Sequence, residues 1–304
     1  MYPPPKDLQA IAAVVTGANA GLGFQTVLQL VQRGANVTLA CRSEERGRAA
    51  LARLKQAVPD ATLELGIVDM SDLDSVRAFA EAFKRRVPRL NLLCNNAGAI
   101  AVPFSLSPQG IEQHMATNYF GPFLLTGLLL ERMLQVPGAR IVNISSQIHR
   151  FAKLPMDDLN WQRRPYKPMG AYGQSKLAVT CFTLELERRL RSKGTGVMAL
   201  MAHPGFSATD VQPSGGFSRF AATALKPMIM RSGLVQSAAE GARCSLYAMT
   251  APDVHGGDYI GPDNWIGSSG APARAKAAAR AADSKLAAAL WARSVEITGL
   301  DYPY

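Results

Sequence analysis

"TGANAGLGFQT", residues Thr16 to Thr26, is the stretch on which the reading of the fold turns. It follows directly on the apolar run "AAVVT", ending at Thr16, and leads into a helical pattern. Gly17 lets the chain turn off the strand, while Gly21 and Gly23 remove side chains so that backbone N–H groups can approach an anion at a helix N-terminus. A glycine-rich turn by itself is weak evidence. Placed between a first strand and a helix, with an α/β rhythm behind it, the loop of Thr16, Gly17, Asn19, Ala20, Gly21, Leu22 and Gly23 reads as the phosphate cradle of a dinucleotide site.

The rhythm is carried by five more short apolar runs: "NVTLAC" ending at Cys41, "ATLELGIV" at Val68, "LNLLCN" at Asn95, "ARIVNIS" at Ser145 and "GVMALMAH" at His203. Helical stretches long enough for right-handed crossovers lie between them, the longest from about Pro108 to Val136. The expectation is an α/β fold, a single-domain Rossmann-type doubly wound parallel sheet of about seven strands with helices on both faces. Neither a repeat nor a composition break divides residues 1–304. Residues 1–10 are expected to be flexible. The Gly, Pro and Ser-rich segment 211–234 is expected to be a substrate lid, with a surface connection as the alternative. Residues 271–304 are expected to form a C-terminal helix and tail, the alanine-rich part from Ala271 to Trp291 being one amphipathic helix.

Composition bounds the function. Over 304 residues the formal charge is +10, yet the basic clusters, Lys84 to Arg86 and Glu187 to Lys193, fall on expected last turns of helices, where cations complement the dipole. No aromatic residues interleave with them as a single-strand groove would require, so no nucleic-acid partner is expected. The four cysteines, Cys41, Cys94, Cys181 and Cys244, are far apart and form no metal-binding or disulfide pattern, which fits a reducing compartment and no metal. No signal-like or membrane-spanning run is present, and the expectation is a soluble, cytoplasmic protein.

A second stretch, "AYGQSKLA", Ala171 to Ala178, sets Tyr172 and Lys176 on one helix face. The same spacing at Tyr2 and Lys6 spans three prolines and cannot. "NISSQ", at the end of the fifth strand, brings serine hydroxyls to the same sheet edge. A phenol ordinarily ionises near pH 10, so acid/base work near neutrality requires ionisation about three pH units earlier, on the order of 4 kcal/mol. A neighbouring ammonium and the positive nicotinamide of an oxidised cofactor can supply this. A slip of one residue would exchange Ser145 and Ser146, so strand geometry leaves the choice between them open.

With its Thr-Gly-x-x-x-Gly-x-Gly loop, its "NISS" and its Tyr-x-x-x-Lys, the chain resembles the short-chain dehydrogenase/reductase family from Ala13 to about Gly299. The "ACRS" segment, the long serine-to-tyrosine interval and the tail "LAAALWARSVEITG" look most like the retinol dehydrogenase and WW-domain oxidoreductase branch. The resemblance implies Asn118, Ser146, Tyr172 and Lys176 as the catalytic set, Asn118 supporting a water chain to the lysine. It implies cofactor contacts from Asp69 and Met70, from Asn96, Ala97 and Gly98, from Tyr172 and Lys176, and from Pro204, Gly205 and Thr209. Asn95 either flanks adenine or ties strands together.

At the second strand's end Cys41 stands where an NAD enzyme places a carboxylate, and Arg42 and Ser43 follow. A guanidinium can grip a 2′-phosphate through two parallel hydrogen bonds, so the cofactor expected is NADP(H), with NAD(H) second. The implied activity is hydride transfer between nicotinamide and a hydrophobic aldehyde, ketone or alcohol, with a homodimer formed through the helices Pro108 to Val136 and Ala171 to Lys193. The alternative is a non-catalytic dinucleotide-binding sensor or interaction protein. Several members of that branch carry an N-terminal membrane anchor for which this sequence offers no candidate, pointing instead to a soluble carbonyl reductase.

Overall fold

The computed structural model describes residues 7–206, 236–264 and 267–304. Thr209 and the segment 211–234 lie outside the described residues. The first strand, β1 (Ala12–Thr16), is the oldest landmark of the sequence and also the middle of the sheet: it pairs with β2 (Asn36–Cys41) on one side and β4 (Leu92–Asn95) on the other. β3 (Leu63–Ile67), β5 (Arg140–Ile144), β6 (Met198–Ala202) and β7 (Tyr259–Pro262) extend it in parallel. The order is β3-β2-β1-β4-β5-β6-β7-β8. Strand order reverses between β1 and β4, so the loops leaving their carboxyl ends diverge and open a crevice there.

Eight strands stand against an expectation of about seven. The extra one, β8 (Pro272–Ala275), runs antiparallel to β7 inside the stretch expected to be helix. Alanine favours helix. Here Pro272 at the strand's start and a bond from Arg274 Nε to Asp258 Oδ2 at 3.1 Å hold the segment on the sheet edge. The helix comes later, as α7 (Ser284–Thr298), where Asp283 accepts the N–H groups of Lys285 and Leu286 at 2.9 and 3.2 Å. The long helix also starts later than Pro108. Ser107 to Gly110 form a turn, with Gly110 at φ +74°, and a short α turn (Gln113–Met115) and a π turn (Ala116–Phe120) then lead into α4 (Gly121–Leu134). Residues 7–10, within the stretch expected to be flexible, are tied down: Leu8 is buried and its N–H donates to Arg33 O at 2.7 Å.

Helices α1 (Gly21–Val31), α2 (Glu44–Ala57) and α6 (Ala238–Thr250) cover one face, and α3 (Leu73–Arg86), α4, α5 (Pro168–Ser192) and α7 the other. The second face holds an aromatic cluster of Phe123, Phe182, Trp291 and Tyr302, with Tyr302 Oη donating to Phe123 O at 2.6 Å. The outward faces of α4 and α5 that were to pair two copies are filled by α7 and by Leu300 and Tyr302, which close over Gly127.

The basic helix ends are paired: Lys84 with Glu81, Arg86 with Glu64, Arg189 with Glu185 and Arg191 with Glu187. Among the described residues no helix is long and apolar enough to cross a membrane.

Candidate active site

The carboxyl ends of β1 through β6 open on one cleft of about 1170 Å³. Its first wall is the glycine loop, with Asn19, Ala20 and Leu22 beside Gly17, Gly21 and Gly23. Gly17 and Gly21 sit at φ +65° and +54°, in the left-handed region where a side chain is strained. A Cβ on Gly23 would overlap the carbonyl oxygen of Gly17 and lie 2.6 Å from Asn96 Nδ2. Helix α1 begins here with Ala20 as its N-cap, which provides no side-chain acceptor, and no acid stands in its first turn. By contrast α2, α3, α6 and α7 are capped by Ser43, Asp72, Ser237 and Asp283. The donors at the start of α1 therefore face the cleft without a side-chain cap, a setting suited to a diphosphate.

Thr16 does not line the cleft. It stands behind the loop, where its hydroxyl accepts the N–H groups of Asn96 and Ala97 at 3.0 and 2.9 Å. The Asn96 amide in turn donates to Thr16 O at 2.8 Å. Asn95 bridges Thr126 and Asn143 at 3.0 and 2.8 Å, so its side chain ties strands rather than entering the cleft. Asp69, Met70, Asn96, Ala97 and Gly98 line the cleft as expected. Asp69 accepts both the N–H and the hydroxyl of Ser71 through Oδ1. Arg42 enters the wall with its side chain 72% exposed and only loosely paired, 3.9 Å from Asp69 Oδ2. Ser43 is absent from the wall, and its hydroxyl accepts Arg46 N–H at 3.3 Å as the α2 N-cap.

At the far end the helix α5 starts at Pro168, which suits a first helical position, and carries Tyr172 and Lys176 down into the cleft. Lys176 is buried, and among the described residues no carboxylate pairs with it. Its Nζ donates to Ile144 O at 2.7 Å and lies 5.7 Å from the centre of the Tyr172 ring. Burial pushes this ammonium down to about 8. Burial also raises the Tyr172 phenol, and the neighbouring Ser146 hydroxyl offsets this only in part. Burial thus works against the lowering expected from sequence and outweighs the Ser146 hydroxyl; positive charge brought by whatever binds would act in the lowering direction.

Both serines line the cleft; the buried Ser145 hydroxyl bonds Thr180 Oγ1 at 2.9 Å, whereas Ser146 lies beside Tyr172. Asn118, on the π turn, is behind the wall. Its Oδ1 accepts Ala99 N–H at 2.7 Å, and its Nδ2 donates to Ala99 O and Ser175 Oγ at 3.0 and 2.8 Å. A Cβ on Gly98 would stand 3.3 Å from Asn118 Oδ1 and 3.7 Å from Lys176 Nζ, so glycine keeps that floor open.

Sequence reasoning missed much of this end. Ile100, Phe104, Phe151, Met169 and Phe206 are exposed apolar residues at the cleft, carried on loops and helix starts without periodicity. It also missed a buried group behind them: His114 Nδ1 donates to Glu112 Oε1 at 2.7 Å, Tyr166 Oη reaches the same oxygen at 3.0 Å, and His114 Nε2 accepts Val102 N–H at 3.2 Å. Burial opposes ionisation of Glu112, but the bonds from His114 and the Met115 N–H prevail and hold it below the usual carboxylate range. Pro204 and Gly205 complete the wall after β6.

The family model for short chain dehydrogenases matches residues 11–215. Retinol dehydrogenase 13 of Homo sapiens is 37% identical over 95% of this chain and 85% of its own length, and polyprenol dehydrogenase of Homo sapiens is 34% identical over 99% and 88%. A crystal structure of an uncharacterized protein from Mycobacterium paratuberculosis superposes with a TM-score of 0.81 at 36% identity, over 99% of this chain and 98% of that one. Fold, cleft and likeness agree, and the chain belongs to the short-chain dehydrogenase/reductase family, with its likeness directed to the retinol dehydrogenase branch.

Proposed function

We propose that the chain is an NADP(H)-dependent oxidoreductase that transfers a hydride between the nicotinamide and a hydrophobic aldehyde, ketone or alcohol. The observation that carries the reading is the meeting of Tyr172, Ser146 and Lys176 at one end of a cleft whose other end is the uncapped glycine loop. The nicotinamide supplies the hydride. As the carbonyl is reduced, Tyr172 gives its hydroxyl proton to the substrate oxygen, and in the oxidative direction it takes that proton back. Ser146 donates a second hydrogen bond to the same oxygen where negative charge grows. Lys176, fixed by Ile144 O, keeps a positive charge near the phenol and favours its ionised form. Asn118 acts by holding Ala99 and Ser175 in place.

The loop 17–23 and residues 96–98 hold the dinucleotide, with Pro204 and Gly205 on the nicotinamide side. Arg42, exposed and loosely paired, supports NADP(H) over NAD(H). The exposed apolar residues at the cleft support a lipophilic substrate, as do relatives named for retinol and polyprenol. Action as one domain in the cytoplasm belongs to the same reading; four buried free thiols support a reducing compartment.

The test is oxidation of NADPH by the purified protein with a panel of medium-chain aldehydes and aromatic ketones, alongside Tyr172→Phe. The expected result is turnover in the parent and a loss of about a thousandfold in the variant, with NADPH affinity kept. Equal turnover in both would remove Tyr172 from the chemistry.

A further inference from the structure

Two buried histidines stand behind the reacting end, outside the four residues assigned to the chemistry. His149 lies on the 3-10 turn (Gln147–Phe151) that follows Ser146, and His203 directly follows β6. Both are essentially without solvent contact, at 0% and 1% exposure. The ring of Tyr259, on β7, packs against each, with centroids 5.5 and 5.0 Å away.

Their bonds fix their protons. His149 Nε2 lies 3.0 Å from Ala278 N, a group that can only donate, so Nε2 carries no proton. Its Nδ1 lies 2.6 Å from Ser146 O, a group that can only accept, so the proton is on Nδ1. His203 is the reverse. Its Nδ1 accepts Gly205 N–H at 3.2 Å, which leaves the proton on Nε2, facing the Gln147 side chain at 3.3 Å. Two donors cannot bond each other, and the Gln147 Oε1 has no partner among the described residues where it is placed. The consistent arrangement turns the Gln147 amide so that its oxygen accepts from His203.

One imidazole thus holds the carbonyl of Ser146 and the other the N–H of Gly205, and Gln147, the chain neighbour of Ser146, bonds the second. Neither ring touches the place where a substrate oxygen would meet Tyr172. Their action is on the residues that do.

We propose that His149 and His203 are a pair of positioning residues of opposite tautomer, which hold Ser146 and Gly205 at a set separation across the reacting end of the cleft. The proposal rests on the functional reading above for what Ser146 and Gly205 do, but the tautomers themselves do not depend on it.

The first experiment needs no turnover: long-range proton–nitrogen correlation of the imidazoles in the whole wild-type protein at pH 7. The expected result is a protonated Nδ1 for His149 and a protonated Nε2 for His203. A charged ring, or the same tautomer at both positions, overturns the pairing.

The second uses side chains that keep one bond and lose the other. In His149→Asn an amide nitrogen replaces Nδ1 and keeps the bond to Ser146 O, whereas His149→Gln can serve only the Ala278 side. Expected is kcat within about threefold of the parent for His149→Asn and a loss of about tenfold for His149→Gln, at unchanged NADPH affinity. In His203→Asn an amide oxygen replaces Nδ1 and keeps the Gly205 bond. NADPH affinity, read from quenching of tryptophan fluorescence, is expected within about threefold for His203→Asn and about tenfold weaker for His203→Leu.

If the two variants at each position behave alike, or if all four lose only stability while folded protein keeps kcat and affinity, the histidines are packing and the proposal falls. If the parent binds NADPH but reduces none of the carbonyls offered, the functional reading fails instead, and the tautomers and the His203 affinities still decide the pair.

Discussion

The two ends of the cleft are built from opposite materials. At the cofactor end the surface is backbone: Gly17, Gly21 and Gly23 in a loop ahead of a helix with no side-chain cap, and one exposed guanidinium. At the reacting end the surface is buried side chains, Tyr172, Lys176 and Ser146, held by further buried side chains behind them. The difference teaches where each end is vulnerable. Altering a glycine damages the fold itself, whereas altering the reacting groups removes chemistry and spares or even relieves the fold.

Lys176→Met breaks or sharpens this contrast most directly. The ammonium is buried and pushed down to about 8 by desolvation, which means that the folded state disfavours its charge. The sign follows: below pH 8 the lysine is charged in both states and the cost is complete, and it fades as pH rises from 8 to the ordinary value of 10.5. Expected at pH 7 is a loss of about a hundredfold or more in kcat together with a gain of about 1 kcal/mol in stability from urea unfolding. A large loss of stability would erase the contrast.

Gly23→Ala is the mirror test. Its Cβ has no room beside Gly17 O and Asn96 Nδ2, so stability should fall by about 2 to 3 kcal/mol, and NADPH binding should fall with it. Unfolding and fluorescence titration of the same sample check both. Unchanged stability would show that the loop is softer than its geometry.

Acid should act on the reacting end. Burial pushes His203 down to about 4 from an ordinary 6.5, with smaller contributions from His149 and Arg150. The unfolded chain takes up a proton as pH falls through 6.5 and the folded chain does not until about 4, so stability is full above 6.5 and is lost across that window. The loss amounts to about 3 kcal/mol at most by linkage. Urea midpoints between pH 7.5 and 4.5 should slope less steeply in His203→Asn than in the parent.

Smaller still is Arg42→Ala, where the preference for NADPH over NADH should drop about tenfold through the cofactor KM, with kcat retained. The smallest effect is expected from Ser43→Ala. It should cost about 1 kcal/mol of stability as a lost helix cap and leave both cofactor KM values unchanged, which separates the capping role from a cofactor contact.

The same division decides what could be read from sequence. Glycines act through the backbone at fixed offsets from a strand, so the loop from Gly17 to Gly23 and the six strands through β6 were legible from local pattern. Tyr172 and Lys176 were legible as a pair only once a sheet edge gave them a context. Choosing Ser146 over Ser145 needed the turn after β5, which sends the two hydroxyls to different sides.

Long-range packing left no local mark. β8 is alanine-rich and would be helix by propensity; its place is set by β7 and by Asp258. Thr16 and Ser43 stand in the right segments, but their hydroxyls serve the chain itself. His114 and His149 were unreadable for the same reason, since each bonds a backbone group supplied by another segment, Val102 and Ala278 respectively; His203 bonds the Gly205 N–H two residues on, in a turn with no periodicity to mark it.

His203 has a last neighbour. A Cβ added to Gly261, on β7, would run into its Nε2. Exchange the imidazole first and a hole opens over the strand; place alanine at 261 first and it collides with the ring. A side chain at 261 therefore has to wait for a smaller group at 203, so the order in which the two positions can change is fixed by the imidazole.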